Sequence, residues 1–287
     1  MGLVCANPDL RGPLLTPPAL KVPKGYPGHD LSKEQRKLAK ELRGKVQALF
    51  EDGSLSGLPV KGEKDWALDL VCLVRYLKAS KFDVIKATGM ICKTLNWRRA
   101  FKPSEITPED VEAEAVDGKA FFSGYDLEGR PVLHIGSNQV SSDADRYLRF
   151  IVFLLESGTR MMPKGQCQLT LVLDCENVGL FSLNSPVIYM QALEILSSHY
   201  PEALGRVFVV NSNWILLNLF RIVSPLMDPV TLEKVRFIET KGATRTKLGL
   251  EEWIAPSQLP VCFGGNHQFE YVHGQHWPEF CERIAVW

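Results

Sequence analysis

The sequence predicts an α/β protein in which a small helical module precedes a mainly parallel sheet. Three observations carry that expectation. Apolar residues recur at helical spacing over Lys33–Phe50, Trp66–Lys81 and Val84–Phe101. After Pro103, short apolar runs alternate with longer amphipathic stretches, the rhythm of strand, crossover helix and parallel strand. No motif repeats at a fixed period, so solenoids and propellers are excluded.

Residues 1–31 mix Pro8, Pro13, Pro17, Pro18, Pro23 and Pro27 with glycine and charge, which predicts an extended, poorly ordered arm and interrupts any signal-peptide core. Met1-Gly2 opens like a myristoylation motif, but Ala6 stands where Ser or Thr is required. Residues 32–103 form the helical module, with Leu38, Leu42, Val46, Leu49 and Phe50 on one face of its first helix. Its basic residues Arg75, Lys78, Lys81, Arg98 and Arg99 read as solvated faces. Residues 104–287 form the α/β domain. Strands are expected at Val132–Ile135, Leu169–Leu173, Val207–Val210 and Val235–Ile238, and helices at Tyr147–Met161, Val187–His199 and Trp214–Val223.

Composition narrows the chemistry. The 287 residues carry 33 Lys+Arg against 33 Asp+Glu, so no global field draws in nucleic acid and any bound anion must be held locally. Cysteines at 5, 72, 92, 167, 175, 262 and 281 contain no C-x-x-C pair, which predicts reduced thiols in a cytosolic protein. The most apolar stretch, Trp214–Val223, is too short for a bilayer span and contains Asn218 and Arg221. No nucleophile elbow, phosphate loop, dinucleotide fingerprint or zinc-protease motif is present. His267, His273 and His276 lie in what reads as a polar tail without metal-ligand spacing, and Gly264-Gly265 reads as a turn.

His199 to Ile238 is the specific segment. Trp214–Val223 is apolar around most of its circumference, which suits either an ordinary core helix or a mobile apolar cover. Asp228 and Pro229 then mark a helix start, with Thr231 and Lys234 three residues apart on one face. A hydroxyl, an ammonium and a helix N-terminus beside an apolar element match a ligand with a charged head and greasy tails.

In chain order stand Arg75-Tyr76-Leu77-Lys78-Ala79, Lys81-Phe82 and Trp97-Arg98, then Asp126 and Gly129-Arg130-Pro131-Val132. Tyr200-Pro201-Glu202, Leu204-Gly205-Arg206, Asn211, Pro225, Asp228-Pro229-Val230-Thr231, Lys234, Leu259-Pro260-Val261 and Phe263-Gly264-Gly265 follow. This ordered set, from about residue 66 onward, resembles the CRAL-TRIO fold of the Sec-fourteen-like phosphatidylinositol transfer proteins. The resemblance implies an N-terminal helical module followed by a CRAL-TRIO domain, whose mainly parallel sheet floors a lipid pocket closed by a gate helix. The run Asp126 to Val132 resembles the domain's first strand.

The same resemblance assigns Asp126, Pro131, Glu202, Thr231 and Lys234 to the inositol-phosphate headgroup, and Trp214, Leu216, Leu217, Leu219, Phe220 and Val223 to the gate. Ser80 and Ala203 depart from the pattern, standing where arginine is frequent. Phe122, Leu133, Leu169 and Leu171 stand where phosphatidylcholine-binding relatives carry hydroxyls; they are either ordinary core or a pocket wall that disfavours phosphatidylcholine and suits a sterol. That pattern, with His276-Trp277-Pro278, is similar to the pleiotropic-drug-resistance branch of the fungal proteins. The implied function is phosphatidylinositol binding and exchange between membranes, without enzymatic chemistry or a cofactor other than the lipid itself. The implied location is the cytoplasm and the periphery of organelle membranes, the implied partners a phospholipid, a transient membrane surface and a phosphoinositide kinase. Two other readings stay open: a carrier of another hydrophobic ligand such as sterol or haem, and a lipid-sensing scaffold for a lipid kinase or phosphatase.

Overall fold

The computed structural model describes residues 11–18, 31–136, 139–176, 178–179, 184–227, 229–238 and 249–285. The helical module comprises α1 (Lys33–Leu49), α2 (Glu63–Leu68), α3 (Leu70–Ala79) and α4 (Val84–Phe101). Ser32 and Gln35 close a capping box on α1, and Asp83 accepts from Lys86 N to cap α4. The single helix expected over Trp66–Lys81 is two, because Asp69 ends α2 with extended backbone and its Oδ1 accepts from Val71 N and Cys72 N to start α3. Leu42, Val46, Leu73, Leu77, Ile91 and Leu95 fill the module's own core.

Arg98 and Arg99 do not lie on solvated faces. Arg98 makes a bidentate pair with Glu156 at 2.8 and 3.1 Å, and Arg99 pairs with Glu63 at 2.6 Å, all four side chains being largely buried. Burial works against charge on both members of the Arg98–Glu156 pair, yet their mutual hydrogen bonds hold the arginine above and the carboxyl below its ordinary pKa. Periodicity alone does not reveal a face covered by the next domain, as at Arg98, or by α2 of the same module, as at Arg99.

That domain opens with α5 (Pro108–Ala115) and continues through β1 (Ala120–Tyr125), β2 (Pro131–Ile135), α6 (Ala144–Met161), β3 (Leu169–Asp174), α7 (Pro186–His199), β4 (Leu204–Val210), α8 (Trp214–Val223), α9 (Pro229–Glu233), β5 (Val235–Ile238) and α10 (His273–Ala285). The five described strands lie in sequential order, antiparallel between β1 and β2 and parallel thereafter. The first strand is therefore Ala120–Tyr125, and Pro131 opens the second; Phe121 and Phe122 both pack inward, on opposite faces, so the strand lacks the alternation that would mark it. The expected polar tail is largely packed: His273 and His276 belong to α10, which buries Trp277, Phe280 and Ile284, with His276 Nδ1 accepting from Val272 N and His273 facing Glu112. His267 lies before the helix, buried and stacked on Phe269.

Within the arm expected over residues 1–31, the described residues 11–18 run along the β1 edge. Gly124 N donates to Leu14 O, Tyr125 Oη donates to Leu15 O, and Leu15 is buried. Covering β1 satisfies backbone groups that an edge strand leaves open. Gly264 has φ +87° and forms the expected turn, and Gly265 approaches Leu259 so closely that a Cβ would lie 1.8 Å from its carbonyl oxygen. Asp228, expected to cap α9, lies outside the described residues.

Candidate functional site

Because β2 to β5 are parallel, their first residues line one edge of the sheet, and the charged side chains gather there. The β1–β2 turn is built by Asp126, whose Oδ1 accepts from Glu128 N and Arg130 N at 2.9 Å each. Its Oδ2 accepts from Arg130 Nη1 at 3.1 Å and from Thr170 Oγ1 at 2.7 Å, so this carboxylate, 2% exposed, is fully used inside the protein.

Arg130 carries the network onward. Its Nη2 donates to Glu128 at 2.6 Å and its Nε to Gln168 Oε1 at 3.3 Å, while the side chain lies across Gly205, where a Cβ would come within 2.3 Å of Nε. Gln168 donates to Glu202 O at 3.4 Å, and Arg75 Nε donates to Pro201 O at 2.9 Å, fixing the backbone on both sides of the left-handed Glu202, φ +57°. Glu202 in turn faces Lys234 at 3.6 Å, and Lys234 sits just before β5 with its N–H bonded to Thr231 O. Arg206 donates to Glu128 at 2.7 Å and stacks over Trp253 at 3.8 Å. Partial burial works to raise the Glu128 carboxyl, but Arg206 and Arg130 hold it below the ordinary range.

The five residues expected at a headgroup thus share one edge in different roles. Glu202 and Lys234 face each other with partial exposure, Thr231 is half-buried beside them, and Asp126 and Pro131 are buried in the turn behind. Arg130, Gln168 and Arg206 were not expected. Arg130 and Arg206 stand in the quoted runs Gly129–Val132 and Leu204–Arg206, whereas nothing in sequence spacing marks Gln168. Ser80, where an arginine is frequent, is buried and donates to Leu77 O and Asp83 O.

One face of the sheet continues from this edge as an apolar surface. In register across the strands lie Phe122, Leu133, Leu171, Val207 and Val235, followed by Leu173, Val209 and Phe237. Phe122, Leu133 and Leu169 are buried with Phe150, Phe153 and Leu154 of α6, and Gly158 permits this because a Cβ there would lie 2.8 Å from Leu169 and 2.9 Å from Phe122. Leu171 and Leu173 are only half-buried although they occupy the middle strand; Val172 between them, facing the other side, is fully buried.

Over that half-covered part lies α8, capped by Asn213, whose Oδ1 accepts from Ile215 N and Leu216 N while its Nδ2 donates to Val178 O. Leu216 packs against the cluster of Cys175, Val178, Val207 and Val209, and Phe220 meets Phe237 edge-on at 5.2 Å. Leu219 and Val223 are half-buried, Leu217 is exposed and Trp214 is 66% exposed. Every residue of this apolar helix is thus half-buried or exposed. A small cleft lined by Pro13, Phe121, Tyr271 and Trp277 lies at the β1 edge and contributes nothing to this arrangement. Among the described residues no group of three potential ligands is placed to hold a metal, and no helix is long and apolar enough to cross a membrane.

A helical module, a sequential mainly parallel sheet, a charged strand-start edge and a loosely seated apolar helix together define a CRAL/TRIO protein. The chain belongs to that family: residues 115–265 match the CRAL/TRIO domain and residues 39–93 match the CRAL/TRIO N-terminal domain. It is 32% identical over 264 residues to a CRAL-TRIO domain-containing protein of Schizosaccharomyces pombe, covering 88% of this chain and 25% of that protein. It is 27% identical to phosphatidylinositol transfer protein PDR17 of Saccharomyces cerevisiae, covering 77% of this chain and 64% of that one. Patellin-3 of Arabidopsis thaliana is 29% identical, with 82% and 52% covered. The chain therefore spans less than two thirds of each of these relatives. The crystal structure of Sfh5 superposes with a TM-score of 0.62 at 18% identity, covering 89% of this chain and 96% of that one, a likeness of fold.

Proposed function

We propose that the chain binds a phospholipid, phosphatidylinositol in the first instance, and exchanges it between membranes without covalent chemistry. The observation that carries this reading is the half-exposed Leu171–Leu173 face of the middle strand beneath a helix of which no side chain is fully buried. A central strand normally has both faces covered by side chains. An acyl chain supplies the missing cover.

The magnitudes favour a carrier. Burying hydrocarbon is worth about 0.8 kcal/mol per CH₂, so moving roughly thirty methylenes through water costs on the order of 25 kcal/mol. An apolar groove replaces the bilayer interior, and closure of α8 would keep it dry in transit. The headgroup is held at the strand-start edge by Lys234 and Thr231, with Glu202 accepting from inositol hydroxyls; Asp126, Pro131 and Arg130 act behind them by fixing the turn. Lys234 faces Glu202 at 3.6 Å, and a phosphate would compete for the same ammonium.

Of the four residues expected as an apolar wall, Phe122, Leu133 and Leu169 are packed under α6 and Leu171 stays at the half-covered face. None offers a hydroxyl to repay desolvation of a choline-phosphate, so phosphatidylcholine is a poor ligand and a sterol a suitable second one. The names of the transfer-protein relatives support the lipid class, and the contact with organelle membranes and with a phosphoinositide kinase belongs to this same reading. Mass spectrometry of lipid extracted from the purified protein tests it directly, followed by transfer of labelled phosphatidylinositol, phosphatidylcholine and sterol between vesicles. Recovery of phosphatidylinositol is the expected result; protein with no bound lipid and no transfer of any of the three overturns it.

A further inference from the structure

We propose that the outward face of α1 docks on an anionic membrane surface, as a contact separate from the charged edge and from α8. Lys33, Lys37 and Lys40 follow one another at i, i+4 and i+7, and Arg36 and Arg43 flank them at helical spacing; all five are exposed. They occupy an arc of about 120° on the helix surface. The opposite side carries Ala39, Leu42, Val46 and Leu49, which face the core of the helical module.

The segregation of charge is the informative feature. Glu34 and Glu41, the carboxylates of α1, stand outside the arc beside Lys45. Gly44 lies inside it, and a Cβ there would meet nothing within 4 Å, so the face is open. The five cations make no ion pair with a described residue, and Arg36 directs its Nε to Leu31 O at 3.2 Å. Like charges at i and i+4 repel and weaken a helix. In a chain whose 33 basic and 33 acidic residues balance, grouping five cations without a carboxylate among them is a local cost that an anionic surface offsets.

The form of the stripe selects the partner. From Lys33 to Arg43 it runs straight for about 15 Å, with no aromatic side chain to stack on a base and no apolar cleft to grip a peptide. A plane of lipid phosphates accepts such a row in any register.

The test uses the full chain in flotation with vesicles of phosphatidylcholine alone and of phosphatidylcholine doped with phosphatidylserine. Binding is expected to the doped vesicles and to weaken with salt. The triple variant Lys33→Gln, Lys37→Gln, Lys40→Gln should lose roughly a hundredfold in vesicle affinity at an unchanged melting temperature. Glu34→Lys with Glu41→Lys should bind more tightly. Lipid transfer between neutral vesicles should be unaffected by either change, so this contact and the lipid reading fail separately. Equal binding by wild type and triple variant, or no wild-type binding to doped vesicles, overturns the proposal. Retention on heparin or on an acidic polypeptide without vesicle binding also overturns it and assigns the face to that partner.

Discussion

Two apolar helices lie over the same face of the sheet and are treated oppositely. α6 buries Tyr147, Phe150, Val152, Phe153, Leu154 and Met161 against β1 to β3, at a spacing so close that Gly158 touches the strands. α8 is at least as apolar, yet each of its residues stays half-buried or exposed. The hydrophobic effect acts on both alike. What differs is the partner surface: α6 meets side chains that interdigitate with it, whereas α8 touches the sheet mainly through Leu216 and Phe220. One helix is buried into the fold, and the other stays at its surface.

The sharpest way to break this comparison is by stability. Phe150→Ala is expected to cost about 3–5 kcal/mol in denaturant unfolding and Phe220→Ala less than about 1 kcal/mol; similar losses would make α8 ordinary core. Next in size, Leu219→Asp or Phe220→Asp should lower lipid transfer on the order of tenfold or more, by placing a charge where hydrocarbon must pass, with little change in melting temperature. Undiminished exchange would remove the gate assignment.

At the charged edge, Lys234→Ala should reduce phosphatidylinositol transfer by about tenfold, the worth of one charge-assisted hydrogen bond. The half-exposed Lys234–Glu202 pair contributes little to stability, so calorimetry should show nearly unchanged unfolding. For the wall, Leu171→Thr should restore partial phosphatidylcholine binding in a competition assay. Leu169→Ser, within the α6 contact, should mainly destabilise, by about 2–5 kcal/mol.

The remaining effect is read by pH, away from the apolar face. Burial pushes the His134 pKa down to about 4, with Nε2 engaged by Ser123 O and the ring stacked between Phe121 and Phe263. Burial also brings His199, stacked on Trp97, down to about 4. Both are neutral in the fold, whereas the unfolded chain takes up protons below about pH 6.5, so the melting temperature should fall as pH drops from there toward 4. His134→Phe should flatten part of that slope in a pH series of thermal melts.

Much of this was legible along the chain. Trp214–Val223 and Val84–Phe101 have the predicted boundaries, because Asn213 and Asp83 are capping residues set before long apolar periods. The strand cores of β2 to β5 stood out as short apolar runs between amphipathic stretches. β1 did not, since both faces of Phe121-Phe122 are covered, and α10 was masked by its histidines. The burial of Arg98 and Arg99 is not encoded locally, because their carboxylate partners, Glu156 and Glu63, are 58 and 36 residues away.

Residue order and chemistry alone determined the family, the helical module, the order of strands and the segment that carries the apolar cover, because periodicity, caps and short motifs are local properties of the chain. The tertiary structure decided that the amphipathic α6 is packed while the more apolar α8 is not, and that Asp126 serves a turn while Lys234 faces outward. It also joined the strand-start residues through Arg130 and Gln168. Those outcomes depend on contacts between residues distant in sequence, where burial and charge pairing are set by which surfaces meet, and no pattern within one segment encodes its neighbour's shape.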